Sequence, residues 1–355
     1  MTSAEVVRRK LADERIMLVG GAGFIGHNLA LDLRKVGASV MVVDNLMVNN
    51  LIGNAFGEIG SGVRHRLYAN FLNDRFLMMR DAGVVLRNAD ARLMTDMNIV
   101  FEEYEPTKVV HLSAIASAVD AEKNPGLCFD LQLVTLRNVL ELSRAANERI
   151  NQVMLLSSST VYGDFETPTV DENTRPRPQG IYANAKYMAE RLVRTYNQHH
   201  GLGTTIIRPS ALYGERCVSR RVSQAFIENA LMGKPLLLEG GGDGRLDFTY
   251  IRDLTEGMIL SLALHDGPGT SQTFNLTFGS ARTIAELAAV VRSVVPNVIL
   301  EERPREKTKP IRGTLSTERA EKVLGFKAQH SLEVGYKGYC DWYADQWQRF
   351  QYEGN

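Results

Sequence analysis

Short apolar runs alternate with longer amphipathic stretches over the first 210 residues of the chain. Most of these runs are apolar throughout rather than at every second position, which is typical of parallel strands buried on both faces. Helical patterns lie between them, as at 24–37 and 134–148. The alternation predicts an α/β fold built on a doubly wound parallel sheet. The candidate strands are 15–19, 39–43, 83–89, 108–114, 152–158 and 204–210.

The pattern changes after about residue 210. Helical stretches are mixed there with strand candidates that we expect to be isolated, at 273–279 and 297–304, and no Gly/Ser/Pro-rich linker separates the two halves. We therefore predict a domain over 1–210 and a smaller lobe over 211–355 that is interleaved with it. The connection at 46–82 is longer than a βαβ crossover needs, and we predict an insertion that caps one edge of the site.

Composition narrows the classes of function. The chain has 355 residues with 41 basic and 41 acidic side chains. Because the chain has no excess of positive charge, we predict that it does not bind nucleic acid. No apolar run approaches the roughly 18 residues of a membrane span, and the charged first 15 residues lack the apolar segment of a secretory signal. The three cysteines are far apart without metal-ligand spacing, which favours buried, reduced thiols, no metal and a cytoplasmic location.

A glycine-rich turn follows the first predicted strand. In "VGGAGFIG" (19–26), Gly20, Gly23 and Gly26 end a strand and open a helix. Glycines there let the backbone approach a pyrophosphate, and the helix N-terminus directs its N–H groups at that anion. Asp44 ends the next strand, where a carboxylate accepts hydrogen bonds from a ribose diol and repels a 2′-phosphate, so we predict NAD rather than NADP.

Two further residues lie near predicted strand ends. Asp90 follows the third strand, from which it could reach an adenine amino group, although an ordinary loop carboxylate is the alternative. His111 lies inside apolar "VVHLSA", and we interpret it as a core histidine rather than a catalyst. The small residues Ser113 and Ala114 after it would allow a dinucleotide close to the backbone.

A hydroxyl, a phenol and an ammonium are expected to meet at the same sheet edge. Tyr182 and Lys186 in "YANAK" are four residues apart and share one face of a predicted helix. A neighbouring cation favours the phenolate, so we expect Lys186 to lower the pKa of Tyr182 from its usual value near ~10. The tyrosine could then exchange a proton with a secondary alcohol. A serine of "LLSSST" (155–160) would hold the alcohol oxygen.

These motifs together resemble the extended short-chain dehydrogenase/reductase family, in particular its NAD-dependent nucleotide-sugar epimerases and dehydratases. The resemblance covers nearly the whole chain and includes "GGAGFIG", "SSSTVYG", "YANAK", "RPSALYG" and "DFTYIRDL". It implies a Rossmann domain, tightly bound NAD and a C-terminal lobe that holds a nucleoside diphosphate sugar. It assigns Ser158, Tyr182 and Lys186 to catalysis. The implied cofactor-binding residues are Gly20, Gly23, Phe24, Ile25, Gly26, Asp44, Asn45, Asp90, Ala91, Leu112, Ser113, Ala114, Tyr182, Lys186 and Pro209.

Departures from the family pattern bear on the reaction. The dehydratases carry an Asp-Glu pair where this chain has Ser159 and Thr160, and the glutamate of the uronic-acid decarboxylases also falls at Thr160. The resemblance therefore implies a nucleotide-sugar 4-epimerase that oxidises and then reduces carbon 4. A 4-dehydrogenase, a dehydratase or decarboxylase, and a non-catalytic NAD-binding regulatory subunit stay open as alternatives.

The residues that would hold the substrate also depart from the family pattern. Ala211 replaces a frequent asparagine, and Leu246 replaces a frequent phosphate-binding arginine. Arginines nearby could supply contacts to phosphate or to a sugar carboxylate. The resemblance also implies a homodimer built through helices around 128–147 and 182–199. The predicted substrate-binding residues are Ser158, Ser159, Thr160, Arg216, Arg221, Arg245 and Arg312.

Overall fold

The protein is described by a computed structural model over residues 3–48, 62–115, 117–305 and 310–352. Its strands, in chain order, are β1 (Arg15–Val19), β2 (Ser39–Asp44), β3 (Val85–Asn88), β4 (Lys108–His111), β5 (Gln152–Leu156), β6 (Thr169–Val170), β7 (Thr204–Arg208), β8 (Leu212–Tyr213), β9 (Leu236–Glu239), β10 (Arg245–Leu246), β11 (Thr249–Tyr250), β12 (Ser271–Asn275), β13 (Arg282–Thr283), β14 (Leu300–Arg303) and β15 (Thr314–Leu315).

Helices separate most of these strands. A π-helical turn, Asp130–Val134, leads directly into the helix Thr135–Ala145. The α-helices are Ser3–Leu11, Phe24–Lys35, Val63–Asp81, Met94–Tyr104, Ala118–Lys123, Pro125–Phe129, Thr135–Ala145, Gly180–His200, Val222–Leu231, Ile251–Ala263, Ile284–Val294, Glu318–Leu324 and Lys337–Tyr352.

Seven strands form one parallel sheet in the order β12-β7-β5-β4-β1-β2-β3. The chain runs outward in one direction after β1 and in the other after β4, so the order reverses between these two strands. In open parallel sheets, ligands bind at such a reversal, beyond the carboxyl ends of the strands. The α/β doubly wound fold predicted from the apolar runs is confirmed.

The apolar strands are buried because helices cover both faces of the sheet. Ile16 and Leu18 of β1 pack into the cluster with helix Phe24–Lys35 and the C-terminal lobe. Their neighbours Met17 and Val19 point to the opposite face and pack with residues from helices Met94–Tyr104 and Thr135–Ala145. The period of two residues along a strand sends alternate side chains into two separate cores.

The strand predicted at 273–279 is not isolated. It forms β12, which pairs in parallel with β7 and makes one edge of the central sheet. The expectation of an isolated strand is wrong because pairing depends on distant chain segments, which a local apolar run does not reveal. The later part of the chain therefore supplies one strand of the central sheet as well as the small two-stranded sheets of the C-terminal lobe.

The long connection at 46–82 is described in part. Residues 49–61 lie outside the described residues, and the rest contains the helix Val63–Asp81. This helix packs on the last helix of the chain, where the rings of Phe71 and Trp342 stack with centroids 5.1 Å apart. Its Arg75 reaches a cleft beside the glycine turn, in agreement with an insertion at the edge of the site.

Candidate active site

The glycine turn brings the backbone of β1 close to the segment after β4. Gly20 has φ +77°, and a Cβ placed on it would lie 2.6 Å from the Cα of Ser113. A Cβ on Gly26 would lie 2.3 Å from the carbonyl oxygen of Gly21, so the helix that starts at Phe24 could not pack here with a larger residue. The turn thus leaves backbone N–H groups and a helix N-terminus exposed to a ligand.

Acidic side chains line the cleft beside this turn. Asp44 is 8% exposed and accepts hydrogen bonds from the backbone N–H groups of Ala22 at 3.0 Å and Leu46 at 2.8 Å. Burial is the main cause that raises the pKa of Asp44, and the hydrogen bonds oppose it. Asp90 pairs with Arg92 at 2.6 Å, and hydrogen bonds from Arg92 lower the pKa of Asp90 to about 2.

The cleft has a volume of about 590 Å³. It contains all the predicted cofactor residues except Pro209, Tyr182 and Lys186, which line a second cleft next to it. The predicted residues in the larger cleft are Gly20, Gly23, Phe24, Ile25, Gly26, Asp44, Asn45, Asp90, Ala91, Leu112, Ser113 and Ala114.

The second cleft has a volume of about 310 Å³ and shares a wall with the first, including Ile25, Leu156 and Arg221. It lies over the ends of β5 and β7. Because the two clefts meet, a group bound in one can react with a group bound in the other. Ile25, Leu112 and Ala114 line both clefts, and the other predicted site residues in the second cleft are Ser158, Ser159, Thr160, Tyr182, Lys186, Pro209, Arg221 and Arg312.

The structure brings the three predicted catalytic residues together. Tyr182 and Lys186 lie on the helix Gly180–His200, and the Lys186 ammonium is 5.9 Å from the centre of the Tyr182 ring. Lys186 Nζ also donates to the carbonyl of Leu156 at 2.8 Å, which ties the helix to the end of β5. Ser158, two residues further on, lines the same cleft, and its side chain is close enough to lower the pKa of the Tyr182 phenol. The site can therefore hold an alcohol oxygen between a phenol and a serine hydroxyl.

The expected depression of the tyrosine pKa is not found. Burial raises the pKa of Tyr182 and outweighs the lowering by Arg221, by the Ser158 hydrogen bond and by Arg312. Burial also lowers the pKa of Lys186 to about 8, despite the opposing effect of Glu190. The expectation from the spacing was wrong because it counted the charge of the lysine but not the removal of both groups from water.

The predicted substrate arginines separate into two groups. Arg312 donates from Nη1 to the carbonyl of Ser159 at 2.8 Å, and burial lowers the pKa of Arg312 to about 10. It lines the smaller cleft with Arg221. Arg245 is exposed and donates to the carbonyl of Ala281, whereas Arg216 carries its charge near Glu215 and Asp74. Neither Arg245 nor Arg216 lines the two clefts.

Two hydroxyls beside Ser158 also line the smaller cleft. Ser159 is 7% exposed, and its backbone N–H donates to the carbonyl of Pro209 at 2.9 Å. The Oγ1 atom of Thr160 is buried and has no hydrogen-bond partner among the described residues. A hydroxyl in this position is available to a bound polar group.

A buried polar network below the site was not predicted from the sequence. Glu190 lies one turn after Lys186, accepts from Ser157 Oγ at 2.6 Å, and pairs with Arg208 at 2.6 Å. Arg208 in turn donates to the hydroxyl of Tyr162 at 2.9 Å. Because Glu190 contacts Ser157, the network fixes the strand end that carries Ser158. Neither Glu190 nor Arg208 was identified from the sequence, because the partner of each lies far away in the chain.

The expectation that His111 belongs to the core is confirmed. His111 is 1% exposed, and its Nε2 is 2.8 Å from Thr135 Oγ1. The threonine hydroxyl donates to the carbonyl of Leu131, so His111 Nε2 carries the proton. Burial lowers the pKa of His111 to about 3, which keeps the ring neutral. The three cysteines, Cys128, Cys217 and Cys340, are buried free thiols, as predicted.

The family model described as the NAD dependent epimerase/dehydratase family matches residues 16–277. The chain belongs to this family. Its members are NAD-dependent, and NAD is the cofactor. The glycine turn without room for a Cβ, the helix N-terminus behind it and the Asp44 acceptor all fit a dinucleotide.

Individual relatives are more distant. The chain is 29% identical to UDP-glucuronate 4-epimerase 1 of Arabidopsis thaliana over 96% of this chain and 79% of that protein. It is 30% identical to UDP-glucuronic acid decarboxylase 2 of the same plant, over 90% of this chain and 66% of the relative. The chain thus spans only part of the length of both.

Solved structures support the fold. The UDP-glucose 4-epimerase of Thermotoga maritima, solved with UDP-glucose, matches with a TM-score of 0.77 at 23% identity, over 93% of this chain and 99% of that one. The UDP-glucuronic acid 4-epimerase of Bacillus cereus, solved with UDP-glucuronic acid and NAD, matches with a TM-score of 0.80 at 20% identity, over 94% and 99%. Within the ranges that the structure describes, no helix has the length and hydrophobicity of a membrane span.

Proposed function

We propose that this protein is an NAD-dependent 4-epimerase of nucleoside diphosphate sugars. The observation that carries the proposal is that Tyr182, Ser158 and Lys186 line one cleft, and that this cleft shares a wall with the dinucleotide cleft. A phenol, a hydroxyl and a cation so placed suit the oxidation of a secondary alcohol and the reduction of the ketone.

The roles of the residues follow from their positions. Tyr182 takes the proton of the 4-hydroxyl as carbon 4 becomes a ketone, and gives it back when the ketone is reduced. Ser158 holds the oxygen of that carbon, and Lys186 supplies positive charge near the phenol. The chemistry that NAD supplies when bound is reversible acceptance of the hydride from carbon 4. Inversion at carbon 4 would require the ketone to turn its opposite face to the dinucleotide cleft before it is reduced, and the cycle would then produce no net NADH.

A dehydratase or a decarboxylase is less well supported, although relatives with those activities exist. Elimination of water needs a further acid–base pair, and the decarboxylases use a glutamate at the position of Thr160. Among its described lining residues the smaller cleft has no Asp or Glu. A carboxyl group that could move a second proton is thus lacking in the described wall, whereas epimerisation needs only the proton that Tyr182 carries.

The charge of the smaller cleft indicates an anionic substrate. Its described lining includes Lys186, Arg221 and Arg312 and no carboxylate. A nucleoside diphosphate neutralises part of this charge, and a sugar carboxylate would neutralise more. The free Thr160 hydroxyl near these cations suits the same group. We therefore propose a UDP-linked sugar and test a uronic acid first, since relatives of this chain are UDP-glucuronate 4-epimerases.

The experiment is product analysis by NMR after incubation with UDP-, GDP-, CDP- and dTDP-sugars, with UDP-glucuronate and UDP-glucose as the paired arms. We expect inversion at carbon 4 without net NADH. Accumulation of NADH with a keto product would instead indicate a dehydrogenase. Loss of carbon dioxide or water would indicate a decarboxylase or a dehydratase. No turnover of any sugar by NAD-loaded protein would leave a binding subunit.

Three related points are part of the proposal. Residues 1–210 would form the NAD-binding, catalytic domain and 211–355 the lobe that holds the nucleotide sugar, with β12 returning to the central sheet. The protein would act as a homodimer. The three buried free cysteines suit a reducing compartment, and we propose the cytoplasm.

A further inference from the structure

Arg75 is a buried cation in the wall of the dinucleotide cleft. It comes from the helix Val63–Asp81, within the long connection between β2 and β3. Arg75 is 1% exposed, and it lines the cleft together with Gly23 and Asp44. Its Nε donates to the carbonyl of Arg216 at 3.1 Å, and Nη2 donates to the same oxygen. The guanidinium thus bridges the inserted helix and a segment of the C-terminal lobe.

That segment forms part of the same cleft. Val218 and Ser219, just after Arg216, line the cleft opposite the glycine turn. The backbone of Arg216 has φ 61°, a left-handed conformation that is uncommon for residues other than glycine. Such a conformation persists when the surroundings hold it. The two hydrogen bonds from Arg75 to the Arg216 carbonyl supply this restraint.

The charges of the cleft give Arg75 a second role. The charged residues in its described lining are Asp44, Asp90 and Asp120 on the acidic side and Arg75 and Arg221 on the basic side. Burial raises the pKa of the Asp44 carboxyl, and the backbone N–H groups of Leu46 and Ala22 oppose this effect; the charge of Arg75 lowers the pKa in the same direction as those hydrogen bonds, by less than they do. The positive charge therefore acts where a carboxylate must accept hydrogen bonds from a ribose diol.

We propose that Arg75 is a positioning residue for NAD, which stabilises the charged carboxylate of Asp44 and fixes Val218 and Ser219 as the opposite wall of the cleft. Arg75 acts through these residues and not on the sugar. The inference therefore depends on the dinucleotide site alone, and it can fail while the proposed epimerase activity stands, or hold while that activity fails.

The test compares NAD affinity, measured by calorimetry on nucleotide-free protein, in Arg75→Met and in a matched control, Arg80→Met. Arg80 lies on the same helix, but its side chain is 71% exposed. Loss of hydrogen bonds from a charged donor should weaken NAD binding by about tenfold or more in Arg75→Met. The control should stay within about twofold, in the range of ordinary surface substitutions. Affinity within twofold of wild type in a folded Arg75→Met protein would overturn the proposal.

A double-mutant cycle with Asp44→Asn separates positioning from mere support of the fold. Because Arg75 acts partly through Asp44, Arg75→Met should weaken NAD binding less when residue 44 is already neutral, and the loss that remains reports the contact with Arg216. Equal losses in both backgrounds would overturn the coupling on which the proposal depends. Should Arg75→Met fail to fold, Arg75→Lys keeps the charge but not the paired hydrogen bonds. We expect a smaller loss of affinity, which comes from the missing hydrogen bonds to Arg216 and is therefore the same in the Asp44→Asn background, and an unchanged affinity in that variant would overturn the proposal.

Discussion

Lys186 holds its ammonium 5.9 Å from the centre of the Tyr182 ring while it donates to the carbonyl of Leu156 at 2.8 Å. The second contact explains why the first is well defined. A lysine on a helix has four flexible bonds, and the hydrogen bond to the end of β5 fixes them in one arrangement. The helix spacing brings the two side chains to one face, and the sheet then sets how far the cation lies from the phenol.

Replacement of Tyr182 by phenylalanine should abolish most of the activity. The variant loses one hydroxyl, so fold and NAD binding should persist, while turnover should fall by roughly 10²–10⁴-fold, the usual contribution of a positioned proton-transfer group. Turnover is measured on the substrate found by NMR, and bound NAD is assayed after denaturation.

Tyr187→Phe is the matched control, because Tyr187 lies on the same helix and packs against a core cluster away from the phenol of Tyr182. It should keep near-wild-type turnover. Ser158→Ala should have a milder effect than Tyr182→Phe, since the serine orients the oxygen. Near-wild-type turnover in Tyr182→Phe would refute the mechanism, and the base would have to be another residue of the cleft.

Removal of the lysine should change the pH dependence of turnover. Burial lowers the pKa of Lys186 to about 8, so the ammonium is mostly charged at neutral pH. In Lys186→Met this charge is lost, which makes the phenolate less favourable and raises the pKa of Tyr182 further. The limb of the kcat–pH profile on which activity rises as the phenol ionises should move to higher pH. Lys186→Met should also retain less NAD. A limb at an unchanged pH would show that the lysine does not tune the phenol.

Much of the central sheet could be predicted from the sequence, because strands buried on both faces leave uninterrupted apolar runs. The same reasoning could not place β12, since its apolar run at Phe274 resembles that of any short strand and its partner lies far away in the chain. The glycine turn, Asp44 and the Tyr182–Lys186 pair were identifiable because each has fixed local spacing.

Residues whose positions depend on contacts between distant parts of the chain could not be identified from the sequence. Arg75 has no local signature, and its position depends on how an inserted helix packs against the C-terminal lobe. Arg216 and Arg245 were predicted in the site from their neighbours in the chain, but the direction of a side chain depends on backbone turns that composition does not encode. The predicted direction of the shift in the pKa of Tyr182 is wrong, because the burial of the phenol cannot be judged from its spacing to a lysine.

Loss of the buried carboxylate next to the catalytic serines should destabilise the protein. Glu190 and Arg208 form an ion pair in which the side chains are 0% and 2% exposed, respectively. Glu190→Gln leaves the guanidinium of Arg208 without its counter-charge, which typically costs about 3–5 kcal/mol in free energy of unfolding. The measurement is urea unfolding of wild type and variant at equal concentration.

The control for that comparison is Asp341→Asn, which breaks an exposed pair with Lys337 whose side chains are 53% and 49% exposed. It should change the free energy of unfolding by less than about 1 kcal/mol. A cost for Glu190→Gln as small as that of the control would show that the buried pair does not support the site.

Acid should destabilise the fold through buried histidines. Burial is the main cause that holds the pKa of His27 well below its ordinary 6.5, and this histidine packs beside the glycine turn, where its Nδ1 is 2.9 Å from the carbonyl of Gly23. Below pH 6.5 the unfolded chain binds a proton that the folded chain does not, so stability falls as pH falls, by up to about 1.4 kcal/mol per pH unit for this group. His27→Gln should have a shallower slope, because the contribution of this group is lost while that of buried His111 remains, and exposed His199→Gln should keep the full slope. An unchanged slope in His27→Gln would contradict the assignment.

Apolar side chains on the catalytic helix predict a two-fold contact between chains. Met188 is 48% exposed, and Leu192 and Tyr196, which follow at intervals of four residues, are only partly buried. Leu142, on the neighbouring helix, is also partly buried. A stripe at this spacing forms one continuous face, and a face that meets its own copy buries the same side chains twice.

Light scattering at micromolar concentration should therefore give twice the chain mass. Met188→Glu should shift the protein towards the single-chain mass, because two carboxylates would face each other across the axis. Ile299→Glu is the control, since Ile299 is 54% exposed in the C-terminal lobe, away from this face, and should leave the mass unchanged. A wild-type protein with the mass of one chain would refute the dimer, and a Met188→Glu protein that still has twice the mass would place the contact on another face.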